Sequence, residues 1–207
     1  REALESLPDI YRVIGYVSEI SPPIPELISQ HKLKFPDTKE QSLPVFNSIG
    51  NACEELGSKI DAAFVAIFDT HAKRRLVEAL DGYRVPLVSI IDPAAQIADL
   101  SLVGPGCYIG PLARLSHNLR LGRCVAVSNF CALGHDNDIG DSCSFGPFVS
   151  VTTGVNISSG CLFGVHSAVM PNTFITDNVT IAPGSVVYRD VVEAGSTFLG
   201  NPAKRVR

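Results

Sequence analysis

The sequence predicts a mainly β protein, in which a coil of short parallel strands over residues 89–207 follows a small α/β unit over residues 1–88. A six-residue period carries the first part of this prediction, because it begins at Ile91 and runs through seventeen hexads without an insertion. The second part depends on apolar runs that alternate with helical patterns before Ile91, which favours a parallel α/β arrangement.

Each position of the hexad has its own residue preference. The first position is always Ile, Val, Leu or Phe, and the fifth is a small residue except at Leu119 and Asn137. These two columns are expected to point inward, and the small residues at the second position are expected to form tight corners. Since a strand rises about 3.3 Å per residue, one hexad makes a short side of about 20 Å and the chain must coil.

This repeat resembles that of the hexapeptide-repeat acyltransferases, over Ile91 to the C-terminus. The resemblance implies a left-handed parallel β-helix with three hexads per turn. It also implies a homotrimer with active sites between subunits. Residues 18 apart would then stack vertically at about 4.8 Å, the spacing of neighbouring strands. The seventeen hexads would make between five and six coils.

The segment ALGHDNDIGD, residues 132–141, resembles the catalytic segment of the sialic acid O-acetyltransferases and the N-acetyltransferases of UDP-linked bacillosamine precursors. The resemblance implies that His135 is the general base and that Asp136 orients it. The oxyanion of the tetrahedral intermediate would be held by a backbone N–H one coil further on, at Thr153 or Gly154. The family usually has Gly where this chain has Thr153.

The same resemblance implies acetyl-CoA as the co-substrate. The pantetheine track maps onto Gly164, Val165 and Gly184, and the ending GNPAK places Lys204 and Arg205 where they could meet CoA phosphates. Glu19, His117 and Ser144 are expected to contact the substrate. The family's nucleotide-binding Gly-rich turn is missing before Arg1, so either the chain is truncated or its substrate is held differently.

These features predict an acetyl-CoA-dependent sugar acetyltransferase, acting on the amino group of a nucleotide-linked amino sugar in surface polysaccharide biosynthesis. A sugar O-acetyltransferase of the sialic-acid type and a non-catalytic β-helix scaffold are the alternatives. The γ-class carbonic anhydrases share the coil, but their pattern includes a His pair five residues apart that this sequence lacks. No metal is therefore expected, because a catalytic zinc normally needs three protein ligands.

Composition excludes other classes of partner. The net charge is −4 and no basic stripe is present, which argues against nucleic acid. The longest apolar run, residues 62–68, is far too short to span a bilayer. No secretory signal is visible, and Cys107, Cys131, Cys143 and Cys161 fall at inward positions, so a reducing cytoplasm is expected.

Before the repeat, residues 11–17 and 62–68 are predicted to be strands and residues 48–56 and 70–80 helices. Thr70 is expected to cap the second helix, and Gly82 is expected to end it in a left-handed conformation.

Overall fold

The computed structural model describes residues 16–17 and 44–206. Glu19 and most of the predicted first strand lie outside the described residues. The elements before the repeat are the parallel pair β1 (Tyr16–Val17) and β2 (Val45–Phe46), helix α1 (Ile49–Leu56), a 3-10 turn (Gly57–Lys59) and helix α2 (Thr70–Gly82).

The two helices lie where the sequence predicts them, but the ends of α2 differ. Asp69 is the N-cap, since its carboxylate accepts a hydrogen bond from the N–H of Ala72 at 2.7 Å, so the prediction of Thr70 was wrong by one residue. Gly82 is the last helical residue, and the left-handed conformation falls on Arg84, with φ 55°. Residues 62–68 form no strand; they contribute one parallel bridge, between Ala63 and Leu87.

From Ile90 onward, short strands wind into a left-handed parallel β-helix with three faces. Face 1 contains β3 (Ile90–Ile91), β6 (Tyr108–Ile109), β9 (Ala126–Val127), β12 (Ser144–Phe145), β15 (Leu162–Phe163), β18 (Thr180–Ile181), β20 (Thr197–Leu199) and β21 (Lys204–Arg205). Face 2 contains β4 (Gln96–Ile97), β7 (Arg114–Leu115), β10 (Ala132–Leu133), β13 (Ser150–Val151), β16 (Ala168–Val169) and β19 (Val186–Val187). Face 3 contains β5 (Leu102–Val103), β8 (Arg120–Leu121), β11 (Asp138–Ile139), β14 (Asn156–Ile157) and β17 (Phe174–Ile175).

The register confirms the predicted 18-residue stacking. Ala132 pairs with Arg114 on one side and with Ser150 on the other, and the same step recurs on all three faces. The first and fifth positions of the hexads are buried from Cys107 to Val187. Ile91 and Ile97 are about one-third exposed, because among residues 44–206 the first coil has a neighbouring coil on one side only.

The corners of the prism are built differently from the expectation. The left-handed residue is the fourth of the hexad, as at Asn118 (φ 54°) and Asp136 (φ 59°), not the second. The second position is small because the next coil approaches closely: a Cβ on Gly134 would overlap the carbonyl oxygen of Thr152. Glycine there permits contact between backbones and leaves the left-handed turn to the residue two positions later.

The four predicted inward cysteines are buried in the core. Each thiol donates to a backbone carbonyl of the next coil; the Cys131 Sγ, for example, lies 3.1 Å from the carbonyl oxygen of Gly146. Burial raises the pKa values of Cys107 and Cys131 to about 11, so both thiols stay protonated. The described cysteines are free thiols and act as small core residues.

Helix α2 covers part of face 1. The Lys73 ammonium is buried and donates to the Ser144 hydroxyl at 2.7 Å, and the Arg74 guanidinium donates to the Asn178 side-chain oxygen at 2.9 Å. At the other end of the helix, Asp81 and Arg123 form a two-pronged ion pair with distances of 2.7 and 3.1 Å. The helix therefore lies against face 1, away from the vertex shared by faces 2 and 3.

Candidate active site

The vertex between faces 2 and 3, here called vertex 2–3, brings three predicted site residues into line. His117, His135 and Thr153 occupy the same corner position in successive coils, 18 residues apart. The rings of His117 and His135 stack in parallel, with centroids 5.0 Å apart and planes 5° apart. The side chain of His135 is about half exposed, so substrates can reach it.

His135 is held by the residues on either side of its Nδ1 atom. The Asp136 carboxylate lies 2.7 Å from Nδ1, and the Thr153 hydroxyl lies 2.9 Å from the same nitrogen. A carboxylate accepts hydrogen bonds, so Nδ1 carries the proton and donates it toward Asp136. The other ring nitrogen, Nε2, is left as the basic atom of the imidazole.

Asp136 is itself oriented by Asn118, a residue that the sequence interpretation missed. The Asn118 side-chain amide donates to the second carboxylate oxygen of Asp136 at 2.6 Å. Hydrogen bonds from Asn118 and then His135 hold the pKa of Asp136 below its usual range, which keeps the carboxylate ionised. Asn118 lies 18 residues before Asp136, so the predicted stacking could have identified it.

Asn137 departs from the hexad pattern because its side chain bonds to the backbone inside the coil. Its amide donates to the carbonyl oxygens of Gly134 and Thr152 at 2.9 and 2.8 Å, and its oxygen accepts from the N–H of Val155 at 2.7 Å. The buried amide therefore joins the coil of His135 to the coil of Thr153 and rigidifies the backbone beneath both.

The structure distinguishes the two candidate oxyanion donors. The N–H of Gly154 donates to the carbonyl oxygen of His135 at 3.1 Å, so it is already engaged. The N–H of Thr153 makes no hydrogen bond within the described part of the chain. Of these two backbone N–H groups, only that of Thr153 is available to bind an anionic oxygen.

Two shallow cavities flank the vertex. The cavity on face 2 measures about 450 Å³ and is lined in part by Gln96, Arg114 and His117. The cavity on face 3 measures about 230 Å³ and is lined in part by Asn118 and Asp136. The stacked histidines therefore stand between two recesses with polar and charged walls.

Three of the residues predicted to bind CoA lie at a different corner, the vertex between faces 1 and 2, here called vertex 1–2. Gly164 and Val165 are in one coil and Gly184 is in the next. Lys204 and Arg205 form β21, which pairs with β20 at the end of face 1, and both are exposed. The Arg205 guanidinium lies 3.7 Å from the Glu193 carboxylate, an exposed ion pair. Within one chain, these residues are separated from His135 by the width of face 2.

The same vertex carries an exposed column of rings. Phe130, Phe148 and His166 stack in successive coils, with centroids 4.8 Å apart at each step. Both Phe side chains are about half exposed. The column gives vertex 1–2 an apolar surface beside Val165.

Ser144 is not brought together with the other predicted substrate contacts. It lies on face 1, is completely buried, and accepts the hydrogen bond from Lys73. Its position offers no surface to a substrate in this chain, because α2 covers it. The structure does not describe Glu19, so that substrate contact stays a prediction.

Residues 16–17 and 44–206 contain no group of three or more His, Cys, Asp or Glu side chains that could hold a metal ion. Over the same residues, no helix combines the length and apolar character needed to cross a membrane.

Coils in 18-residue register and a corner histidine with its acidic neighbour define the class of protein: the chain is a hexapeptide-transferase-like left-handed β-helix. No family model matches it. GDP-perosamine N-acetyltransferase of Escherichia coli O157:H7 is 28% identical over 149 residues, which are 69% of this chain and 66% of that protein, just under two thirds.

Solved structures show the same fold. A mutant of perosamine N-acetyltransferase from Caulobacter crescentus, in complex with CoA and GDP-perosamine, superposes with a TM-score of 0.76 at 20% identity, over 93% of this chain and 96% of that one. WeeI from Acinetobacter baumannii AYE has a TM-score of 0.74 at 20% identity, over 94% of this chain and 99% of that one. At this identity the likeness establishes the fold. The Escherichia coli protein is named a GDP-perosamine N-acetyltransferase and the Caulobacter crescentus protein a perosamine N-acetyltransferase.

Proposed function

We propose that this protein transfers the acetyl group of acetyl-CoA to the amino group of a nucleotide-linked amino sugar, in surface polysaccharide biosynthesis. The observation that carries the proposal is the His135 imidazole at an exposed vertex, held through Nδ1 by Asp136, with no partner on Nε2 in the described part of the chain. The name of the Escherichia coli relative and the ligands named for the Caulobacter crescentus structure support a nucleotide-linked amino sugar and CoA.

In the proposed mechanism, His135 is the general base for direct attack on the thioester. The amine nitrogen forms a bond to the acetyl carbon as Nε2 accepts a proton from that nitrogen. The tetrahedral intermediate then collapses, the carbon–sulfur bond breaks, and the CoA thiolate leaves and takes up the proton that His135 Nε2 had accepted. The ionised Asp136 stabilises the imidazolium that forms between these steps.

The negative oxygen of the intermediate needs a preorganised donor. The backbone N–H of Thr153 fits this role, because it is one coil away from His135 and makes no hydrogen bond to any described residue. The N–H of Gly154, by contrast, would have to release the carbonyl oxygen of His135. Thr153 is therefore the proposed oxyanion donor.

We place the complete site between two copies of the chain, in a homotrimer. The base lies at vertex 2–3 and the residues proposed to bind CoA lie at vertex 1–2, so one chain cannot present both to the same acetyl group. The segment 44–88 meets face 1 through α2, on the side away from His135. An apolar column at vertex 1–2 supports contact with a neighbouring copy.

The free cysteines support a reducing compartment, the cytoplasm.

The test measures release of the CoA thiol from acetyl-CoA with a panel of nucleotide-linked amino sugars and matched sugars that carry only hydroxyl groups. We expect release with an amino sugar, and a product that survives mild alkali as an amide does. His135→Ala should lower turnover by roughly a hundredfold or more with the fold intact by circular dichroism.

Other outcomes would contradict the proposal. An alkali-labile ester product would indicate the O-acetyltransferase instead. No release with any acceptor would favour a non-catalytic scaffold. Unchanged turnover in the His135→Ala variant would refute the assignment of the base.

A further inference from the structure

The side chain of Thr153 contacts His135 twice, and the proposed mechanism uses only the backbone of this residue. Its hydroxyl oxygen lies 2.9 Å from the His135 Nδ1 and 3.0 Å from the His135 backbone carbonyl oxygen. The resemblance noted above leads us to expect glycine at this position, which could make neither contact. The hydroxyl is therefore a feature of this chain that the backbone role does not explain.

The two contacts together decide where the protons lie. A hydroxyl has one proton to donate, and a carbonyl oxygen can only accept. The Thr153 hydroxyl therefore donates to the carbonyl of His135, which leaves its lone pairs facing Nδ1. A lone pair facing Nδ1 favours a proton on that nitrogen, so the same ring atom donates toward both Thr153 and Asp136.

The two acceptors differ in how firmly they are held. The Asp136 side chain is half exposed, and water competes for its hydrogen bonds. The Thr153 residue is partly buried, and its hydroxyl is anchored to the backbone of the residue that it orients. The hydroxyl thus restrains the imidazole even when the carboxylate is solvated.

We propose that Thr153 is a positioning residue, whose hydroxyl is clamped by the His135 carbonyl and holds the imidazole in the tautomer protonated on Nδ1, leaving Nε2 free to accept a proton. The catalytic meaning of this tautomer rests on the proposed function. The tautomer itself is a property of the folded chain and can be measured without a substrate.

The experiment compares Thr153→Val, Thr153→Ser and the control Thr176→Val. Valine keeps the shape of threonine and removes the hydroxyl, whereas serine restores it. Thr176 lies on the vertex between faces 3 and 1, so the control makes the same change away from the site. Each variant is assayed for kcat and for KM of acetyl-CoA, and the His135 tautomer is read from the 15N NMR spectrum of histidine-labelled protein.

Thr153→Val is expected to lower kcat roughly five- to tenfold, the loss typical of one hydrogen bond, with little change in KM. Its spectrum should show a mixture of the two tautomers, where the unmodified chain shows one. Thr153→Ser should recover kcat to within about twofold together with the single tautomer, since it restores the same hydrogen bond.

The inference would be overturned if Thr153→Val and Thr176→Val had the same His135 tautomer and the same kcat. It would also be overturned if the spectrum of the unmodified chain showed no proton on the His135 Nδ1. If no acceptor is acetylated, the proposed function fails, and the spectra still decide whether the hydroxyl holds the ring. If His135→Ala abolishes transfer but Thr153→Val changes neither readout, only the present inference fails.

Discussion

Asn118 and Asp136 form the outer part of the hydrogen-bonded chain that ends at His135. Asn118 donates to one carboxylate oxygen and His135 Nδ1 contacts the other, so each oxygen of the carboxylate accepts a hydrogen bond. Asn118 adopts a left-handed conformation, with φ 54°, which an asparagine tolerates and a glycine adopts freely. Its side chain can therefore be removed without straining the corner.

We expect Asn118→Gly to move the acid limb of the activity profile to higher pH. Asn118 is the main cause of the low pKa of Asp136, so its removal raises that pKa. The proposed mechanism needs the ionised carboxylate, which is present above this pKa, so activity should be lost at a less acidic pH than in the unmodified chain. The measurement is kcat/KM against pH between about 4 and 7.

Asn172→Gly is the matched control for this prediction. Asn172 has the same left-handed conformation, with φ 56°, on the same vertex two coils beyond Asp136. The two variants should then differ in their acid limbs. Coincident profiles would show that Asn118 does not control the ionisation of Asp136.

The docking of α2 on face 1 buries a cation, Lys73, that forms no ion pair with a carboxylate among residues 16–17 and 44–206. Lys73 donates to the Ser144 hydroxyl and, at 3.4 Å, to the Cys143 carbonyl oxygen. Burial lowers the pKa of Lys73 to about 8, because the charged form has lost its water. At neutral pH the ammonium is charged, so its burial opposes the docking that its alkyl chain favours.

Lys73→Met should therefore raise the free energy of unfolding at pH 7 by about 1–2 kcal/mol. The variant no longer buries a charge, and the loss of the hydrogen bond to Ser144 offsets part of that gain. An unfolded lysine titrates near pH 10.4. Between pH 8 and about 10.4 the unfolded chain therefore binds one more proton than the folded chain. The stability of the unmodified chain relative to Lys73→Met should consequently rise with pH in this window.

Denaturant unfolding at several pH values from 7 to 10 measures both effects. Lys59→Met, at an exposed position in the 3-10 turn, is the control and should leave stability within about 0.5 kcal/mol of the unmodified chain. A loss of stability in Lys73→Met that is the same at every pH would contradict the prediction.

The repeat explains why the elements of the β-helix could be predicted from the sequence and the contacts of α2 could not. A six-residue period determines which side chains point inward and which stack, so the line of His117, His135 and Thr153 followed from arithmetic on residue numbers. The period says nothing about which face a separate helix covers. Ser144 was expected to contact the substrate, because the sequence does not show that Lys73 lies against it in the folded chain.

At the scale of the whole molecule, the proposed site residues lie on two vertices, and the proposed homotrimer would bring them together. His135 and Val165 lie on opposite sides of face 2, so in the proposed homotrimer a thioester beside one chain's Val165 would meet the imidazole of another chain. In a closed trimer, each of the three sites then takes its base from one copy and its CoA contacts from the next.

Co-expression of His135→Ala and Val165→Asp chains with different affinity tags tests this arrangement. Val165 is exposed, so an aspartate there should leave the fold intact and block the apolar CoA track. We expect each variant alone to be inactive. A trimer that contains both variants has one site with two intact halves, so doubly purified trimers should recover about one third of the unmodified rate.

Val192→Asp, an aspartate at another exposed valine outside the proposed site, is the control and should keep full activity. A recovery near one half would indicate a dimer, because one of its two sites would be restored. Mixed oligomers without activity would mean that each chain completes its own site. Activity in Val165→Asp alone would place the CoA track elsewhere, since an anionic side chain at the pantetheine would not be tolerated there.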